Sequence, residues 1–197
     1  DPTLALPTCT IGGEEGVLVN RISPVNLPGG EIDGIEIAFQ HYFRNLPKPF
    51  NGLGVIANYA YQEGSRDQTF NSPAAIASDG SQQELPLNFV KLSENSYNFT
   101  AFYEKPKWSA RLRYTYRDVF LVSESTDISN GLPLYTDDRG QLNGSMSYNL
   151  NDTTAITLSG VNLLKERTIQ PAVFPDGPIA RMMDADRRVT RGLRVKL

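Results

Sequence analysis

Apolar and polar residues alternate along seven stretches of this chain, near 34–46, 52–63, 94–105, 107–120, 139–150, 154–164 and 187–197. A period of two marks a β-strand, whose successive side chains point to opposite faces. In the fourth stretch Trp108, Ala110, Leu112, Tyr114 and Tyr116 share one face, and Ser109, Arg111, Arg113, Thr115 and Arg117 share the other. The fifth sets Leu142, Met146, Tyr148 and Leu150 against Gln141, Asn143, Ser145, Ser147 and Asn149. The third sets Tyr97, Phe99, Ala101 and Tyr103 against Asn98, Thr100 and Glu104, with Phe102 interrupting the polar face. The second lines up Leu53, Val55, Ala57, Tyr59 and Tyr61. Globular strands average about 5–6 residues, whereas a tilted strand that crosses a bilayer needs about 9–11. The pattern therefore predicts an all-β fold, an antiparallel up-and-down meander of about seven long strands.

The connections alternate as well. Short ones carry turn residues at Pro47 to Gly52, Pro106-Lys107 and Asn151-Asp152. Long ones, polar and rich in Gly, Ser, Pro and Asp, cover about 64–93, 121–138 and 165–186 and are expected to be loops. Transmembrane barrels have this arrangement, with short turns in the periplasm and longer loops outside. The C-terminus falls at the turn end, with all three short turns. Tyr103 and Trp108 flank one of those turns, while Tyr61 and Tyr116 lie toward the opposite end. Aromatic bands at two lipid–water boundaries would be placed so, although aromatics are also favoured in any strand.

Composition narrows the picture only where it excludes something. The 19 basic and 22 acidic residues leave a net charge of −3, which gives no broad pull toward nucleic acid. A hydrophobic content of 40% suits a soluble protein. It suits a membrane barrel equally, because only alternate residues there meet lipid. No apolar run approaches the ~20 residues of a membrane helix. The chain begins at Asp1 rather than Met, which reads as a processed end or a cut. Cys9 is the single cysteine, so no internal disulfide and no cysteine metal cluster can form.

Specific segments carry a family resemblance. Gly34 to Gln40, Leu46-Pro47 and Gly52 to Tyr61 resemble a strand–turn–strand unit of TonB-dependent outer-membrane receptors. Ser96 to Lys105 with Ser109 to Arg117 resembles the next hairpin, and Gly140 to Asp152 with Leu158 to Leu163 the penultimate one. Arg187 to Leu197 resembles the closing strand, with Thr190, Gly192, Val195 and Leu197 at the positions of the C-terminal assembly signal. The resemblance implies that 34–197 is the C-terminal part of a transmembrane barrel of about 22 strands. Residues 1–33 are then an irregular N-terminal segment that holds the end of a preceding strand. It also implies a cell outer-membrane location in a Gram-negative bacterium. The implied partners are outer-membrane lipid, the rest of the parent barrel with its plug domain, and the barrel-assembly machinery. An inner-membrane energy-transducing protein would be reached through the plug, which this sequence does not contain. The implied activity is uptake of a scarce ligand (siderophore, vitamin or oligosaccharide), with no cofactor and no enzymatic step, and it belongs to the whole receptor. Two departures stand out. The family usually ends in Phe rather than Leu197, and Arg191 shares the apolar phase of Val189, Leu193 and Val195. Either Arg191 snorkels toward a headgroup or a bulge before Gly192 shifts the register. His41, in phase with Ile35, Ile37, Phe39 and Phe43, raises a milder form of the same question.

Arg111, Arg113 and Arg117 form a basic ladder on the expected lumen face, beside Glu104. They would attract an anionic ligand or pair with carboxylates such as Glu36 and Glu104. The acidic pairs Asp137-Asp138 and Asp184/Asp186 lack a calcium-loop frame and read as solvated loop acids. One histidine speaks against a Ser-His-Asp hydrolase and a His-rich metal site. Gly12-Gly13 and Gly29-Gly30 lack the strand–GxGxxG–helix context of a phosphate loop. Two other architectures fit the pattern. A complete small outer-membrane barrel, structural or enzymatic, needs an even strand count, with an eighth strand drawn from Gly16 to Val25. A soluble β-sandwich binding module would turn the apolar faces into a dry core. A seven-stranded fragment would carry two unpaired edges, which hydrocarbon does not tolerate, and is expected to aggregate or oligomerise alone.

Overall fold

The computed structural model describes residues 9–11, 14–17, 29–66, 69–76 and 81–196, with only the backbone in 9–11, 14–17, 69–76 and 82–86. Seven strands form one antiparallel sheet: β1 (Gly30–Tyr42), β2 (Leu53–Arg66), β3 (Asn95–Glu104), β4 (Trp108–Arg117), β5 (Arg139–Asn149), β6 (Thr154–Val161) and β7 (Arg188–Val195). Their spatial order is β7-β6-β5-β4-β3-β2-β1, a pure meander with every strand beside its neighbours in sequence. All seven expected segments are there. The first begins four residues earlier than the 34–46 pattern and stops at Tyr42, where Arg44 and the turn through Pro47 and Phe50 take over.

The six ladders run without a register shift. Because the side-chain period is two, an unbroken register keeps every apolar set on one side of the sheet. One row reads Ile37, Tyr59, Tyr97, Tyr116, Gly140 across five strands. Another reads Trp108, Tyr148, Ile156, Leu193. His41 lies opposite Val55 on this face, between the rings of Phe39 and Phe43. Arg191 lies opposite Leu158 on the same face, so the register provides no bulge to turn it away.

Among the described residues the apolar face is largely exposed. Ile37 is 57% exposed, Phe39 55%, Leu112 53% and Leu193 67%. The chain presents 14533 Å² of accessible surface, against about 9,300 Å² for a compact globular protein of this mass. A β-sandwich would have buried these side chains, so that architecture is not the one formed. The complete small barrel is not formed either, since β1 and β7 are the two outer strands and do not pair with each other. The sheet is an open wall.

Close packing is found instead where the sequence pattern suggested unstructured loops. Each long connection folds back as a two-stranded ribbon: Thr69–Ile76 with Gln82–Pro86, Phe120–Thr126 with Leu132–Thr136, and Arg167–Pro171 with Ile179–Asp184. A fourth pairs Cys9–Ile11 with Glu14–Val17. The most buried side chains, Leu121 and Pro133, belong to the second of these ribbons. All three long ribbons leave the wall at the end opposite the short turns.

Within the wall, large side chains lie over glycines on neighbouring strands. The Phe102 ring covers Gly54, where an added Cβ would come within 2.2 Å of it, and Phe102 is only 8% exposed. This accounts for the one apolar residue on the polar face of β3. Covering an otherwise bare glycine backbone with a ring is a known stabilising device of sheets. Replacing Phe102 by Ala should lower the unfolding free energy by about 3 kcal/mol, in the range of buried Phe truncations. Denaturant unfolding of the complete protein that contains this chain, in lipid vesicles, measures it, and a loss below about 1 kcal/mol would show the cover to be dispensable.

Candidate functional site

The polar face of the wall gathers the expected basic ladder into one column on β4. Cross-strand register sets Arg111 between Phe102 and Ser145, Arg113 between Thr100 and Asn143, and Arg117 between Ser96 and Arg139. The three arginines are differently engaged. Arg111 Nη2 lies 3.6 Å from Glu104 Oε1, an exposed pair, and such pairs contribute only about 0.2–1 kcal/mol. Its guanidinium also sits 6.0 Å from the Phe102 ring centre. Arg117 is a strut: its Nε donates to Ser93 Oγ at 2.7 Å, its Nη2 donates to the Lys91 carbonyl, and its guanidinium stacks 3.9 Å from the Phe120 ring centre. Arg113 is exposed and has neither an ion pair nor a hydrogen bond among the described residues. Glu36 shares this face but lies on β1, opposite Ala60 and three strands from β4, and pairs with none of the arginines. Between these charges the surface is amide and hydroxyl: Thr115 Oγ1 donates to Asn98 Oδ1 at 2.9 Å, and Gln141 Nε2 donates to Asn143 Oδ1 at 3.3 Å.

Above the wall the ribbons are tied down by contacts that span long stretches of sequence. Arg66 Nη2 meets Glu124 Oε1 at 2.5 Å and its Nε donates to the Leu87 carbonyl. Lys91 N donates to the Leu121 carbonyl, Asp137 N to the Ile169 carbonyl and Val173 N to the Pro133 carbonyl. Asn162, in the left-handed region at φ 54, is a node. Its Nδ2 donates to the carbonyls of Glu166 and Ala185, and its Oδ1 accepts from Glu166 N. Between the second and third ribbons a hollow of about 520 Å³ is lined by Ser123, Thr126, Asp127, Gln170 and Arg181 among others. Gln170 there is 9% exposed, and its Oε1 has no hydrogen-bond partner among the described residues. A buried acceptor left unpaired costs about 1–3 kcal/mol.

The acidic pairs are engaged as well. Asp184 pairs with Arg167 at 2.8 Å, Asp186 with Lys165 at 3.0 Å, and Asp138 accepts from the Tyr116 hydroxyl at 3.2 Å. The Lys165 ammonium, and then the Arg187 N–H, hold the Asp186 carboxyl below its usual range. Protonation as pH falls through that lowered range removes the tie, and higher pH keeps it. Among the described residues no group of three or more His, Cys, Asp or Glu side chains gathers as a metal site would. Of the assembly-signal residues, Thr190 and Gly192 lie on the polar face opposite Ser159 and Thr157, and Val195 on the apolar face opposite Thr154. Leu197 lies outside the described residues.

The Arg66–Glu124 tie, the Asn162 node and the Gln170 oxygen were not read from the sequence. Part of the signal was present. Asn130-Gly131 and Asp176-Gly177 are turn pairs that predict hairpin tips. In the structure Asn130 and Gly131 take φ values of 53 and 79, and Gly177 N closes a turn to Phe174 O.

The family model described as "TonB dependent receptor-like, beta-barrel" matches residues 3–163, most of the chain. No curated protein and no solved structure matches it.

The unequal engagement of the arginines has a measurable consequence. Arg117→Met should free the 87–93 segment and raise its cleavage by an added protease about tenfold, in keeping with a lost charged hydrogen bond. Arg113→Met should leave the cleavage pattern unchanged. Equal sensitivity of the two variants would remove the strut assignment.

Proposed function

We propose, from the premise that this chain belongs to the TonB-dependent receptor β-barrel family, that it forms the C-terminal third or so of a transmembrane barrel of about 22 strands in the outer membrane. That family comprises transporters and receptors rather than enzymes. The observation that carries the reading is the open seven-stranded wall with one exposed apolar face, one polar face and all its short turns at one end. Along β4 the aromatic rows at Tyr116 and Trp108 lie eight residues apart. That is about 27 Å along the strand, or about 20 Å across a membrane at the usual tilt, close to the apolar band of such barrels.

In the parent receptor the wall's open edges pair with the remaining strands. Its polar face encloses a plug, and the whole takes up a scarce ligand with energy supplied from the inner membrane. The barrel-assembly machinery would insert it by the β7 end. On this chain the groups offered to ligand or plug are Arg113, the one ladder cation without a partner among the described residues, and the hollow around Gln170 and Arg181. Arg111 and Glu104 line the lumen as a pair, and Arg117 holds a loop.

Single cysteines tested in intact cells, with Cys9 replaced by Ser, discriminate this reading. A water-soluble maleimide should label Arg113→Cys and spare Leu112→Cys, while a lipid-soluble maleimide should do the reverse. Equal aqueous labelling of both sites would contradict a membrane wall. Uptake should stop when a protonophore collapses the proton gradient, and persistent uptake would remove the energy-coupled part of the proposal. This chain expressed alone should give no monodisperse monomer in buffer by light scattering.

A further inference from the structure

Gly144 and Gly160 face each other across β5 and β6 on the apolar side of the wall, flanked in the same row by Leu112 and Val189. Two glycines between two branched side chains make a trough. Leu163 reaches over both glycines from the loop end: a Cβ built on Gly160 would lie 2.6 Å from Leu163 Cδ2, and one on Gly144 3.4 Å from Leu163 Cδ1. Met146 and Leu158 form the floor toward the turn end, and the hollow measures about 310 Å³ with an almost wholly apolar lining. Arg191 stands at its turn-end lip, directly opposite Leu158 and two residues beyond Val189 on β7. It is exposed, on the lipid side, and has no ion pair or hydrogen bond among the described residues.

An unpaired cation beside an apolar trough on a membrane face is complementary to one kind of molecule, a glycerophospholipid with its phosphate on the guanidinium and an acyl chain in the trough. The direction fits. The trough runs from Arg191 away from the short turns, toward the membrane interior. The Trp108–Tyr148 ring pair, whose centres are 4.5 Å apart, marks the turn-side boundary one register step below Arg191. That step is about 7 Å, which an arginine stem covers by leaning toward the interface. We propose that Arg191 and the Gly144–Gly160 trough form a binding site for a phospholipid of the leaflet on the short-turn side, the periplasmic one. This rests on the membrane-wall reading above.

The test uses the complete receptor that contains this chain, in nanodiscs of phosphatidylethanolamine doped with a phosphatidylglycerol bearing a diazirine in its acyl chain. After illumination, labelled peptides are mapped by mass spectrometry. In the wild type the label should concentrate on 142–163 relative to Ile35–Phe39 at the other edge of the wall. Arg191→Leu should cut that label about fivefold, as expected for one basic residue near an anionic headgroup. Arg191→Lys should keep most of the label, and Gly144→Leu, which fills the trough, should abolish it. Because Arg191→Leu removes a charge from a lipid-facing position, loss of label there is not loss of fold. Heat-modifiable gel migration checks each variant. Label unchanged in Arg191→Leu, or spread evenly over the wall, overturns the site while leaving the membrane wall intact. No label on either 142–163 or 35–39 overturns the membrane reading as well.

Discussion

A backbone amide or carbonyl in hydrocarbon has no water to turn to, and each one left unpaired costs several kcal/mol. This constraint organises the whole structure. It explains why six ladders run without a break, since a bulge in mid-membrane would strand polar groups. In a bilayer it also bears on the two edges of the wall. The outer edge of β1 runs for thirteen residues, and on the free side of a strand about half the N–H and C=O groups point outward. A dozen such groups at several kcal/mol each exceed the ~5–15 kcal/mol of net stability that a typical domain possesses. In a bilayer these edges would therefore need partner strands.

The same constraint made the wall legible. Once register is fixed, a period of two commits every residue to one face, and sequence alternation alone located all seven strands. Arg191 and His41 show the strength of the rule: both are polar, and both stay on the apolar face where their parity puts them. Sequence could not decide between an Arg191 that snorkels and a register that bulges, because one inserted residue restores a polar phase equally well. The unbroken β6–β7 ladder decides it. Phe102 was an anomaly as a residue of β3 alone. Only its partner across the sheet, Gly54, gives it a reason, and cross-strand partners are not visible until the register is known.

The loop end was less legible for a different reason. Ribbons there are held by contacts between residues far apart in sequence, such as Arg66 with Glu124 and Leu134 with Ala172. Nothing in a local window announces such pairs. Local chemistry did mark the tips, through Asn130-Gly131 and Asp176-Gly177, but a polar composition hides the strands between tip and wall. The basic ladder divides along the same line. That Arg111, Arg113 and Arg117 share a face follows from parity. That Arg117 is occupied by Ser93 and Lys91 depends on how the 87–93 segment folds back over the wall.

Wall and ribbons thus have opposite energetics. The wall buries few side chains of its own and is held by backbone pairing, and on the proposed reading lipid would cover its apolar face. The ribbons, at the end opposite the short turns, have a conventional core, which Leu121, Leu134 and Pro133 supply. A ligand arriving from outside would meet surfaces built on that small core. Gln170, Asp127 and Arg181 line a hollow beside it. A side chain held in a packed frame loses little entropy on meeting a ligand, whereas a mobile loop would first have to be ordered. A packed outer end is therefore the part of this chain best suited to hold a polar contact ready.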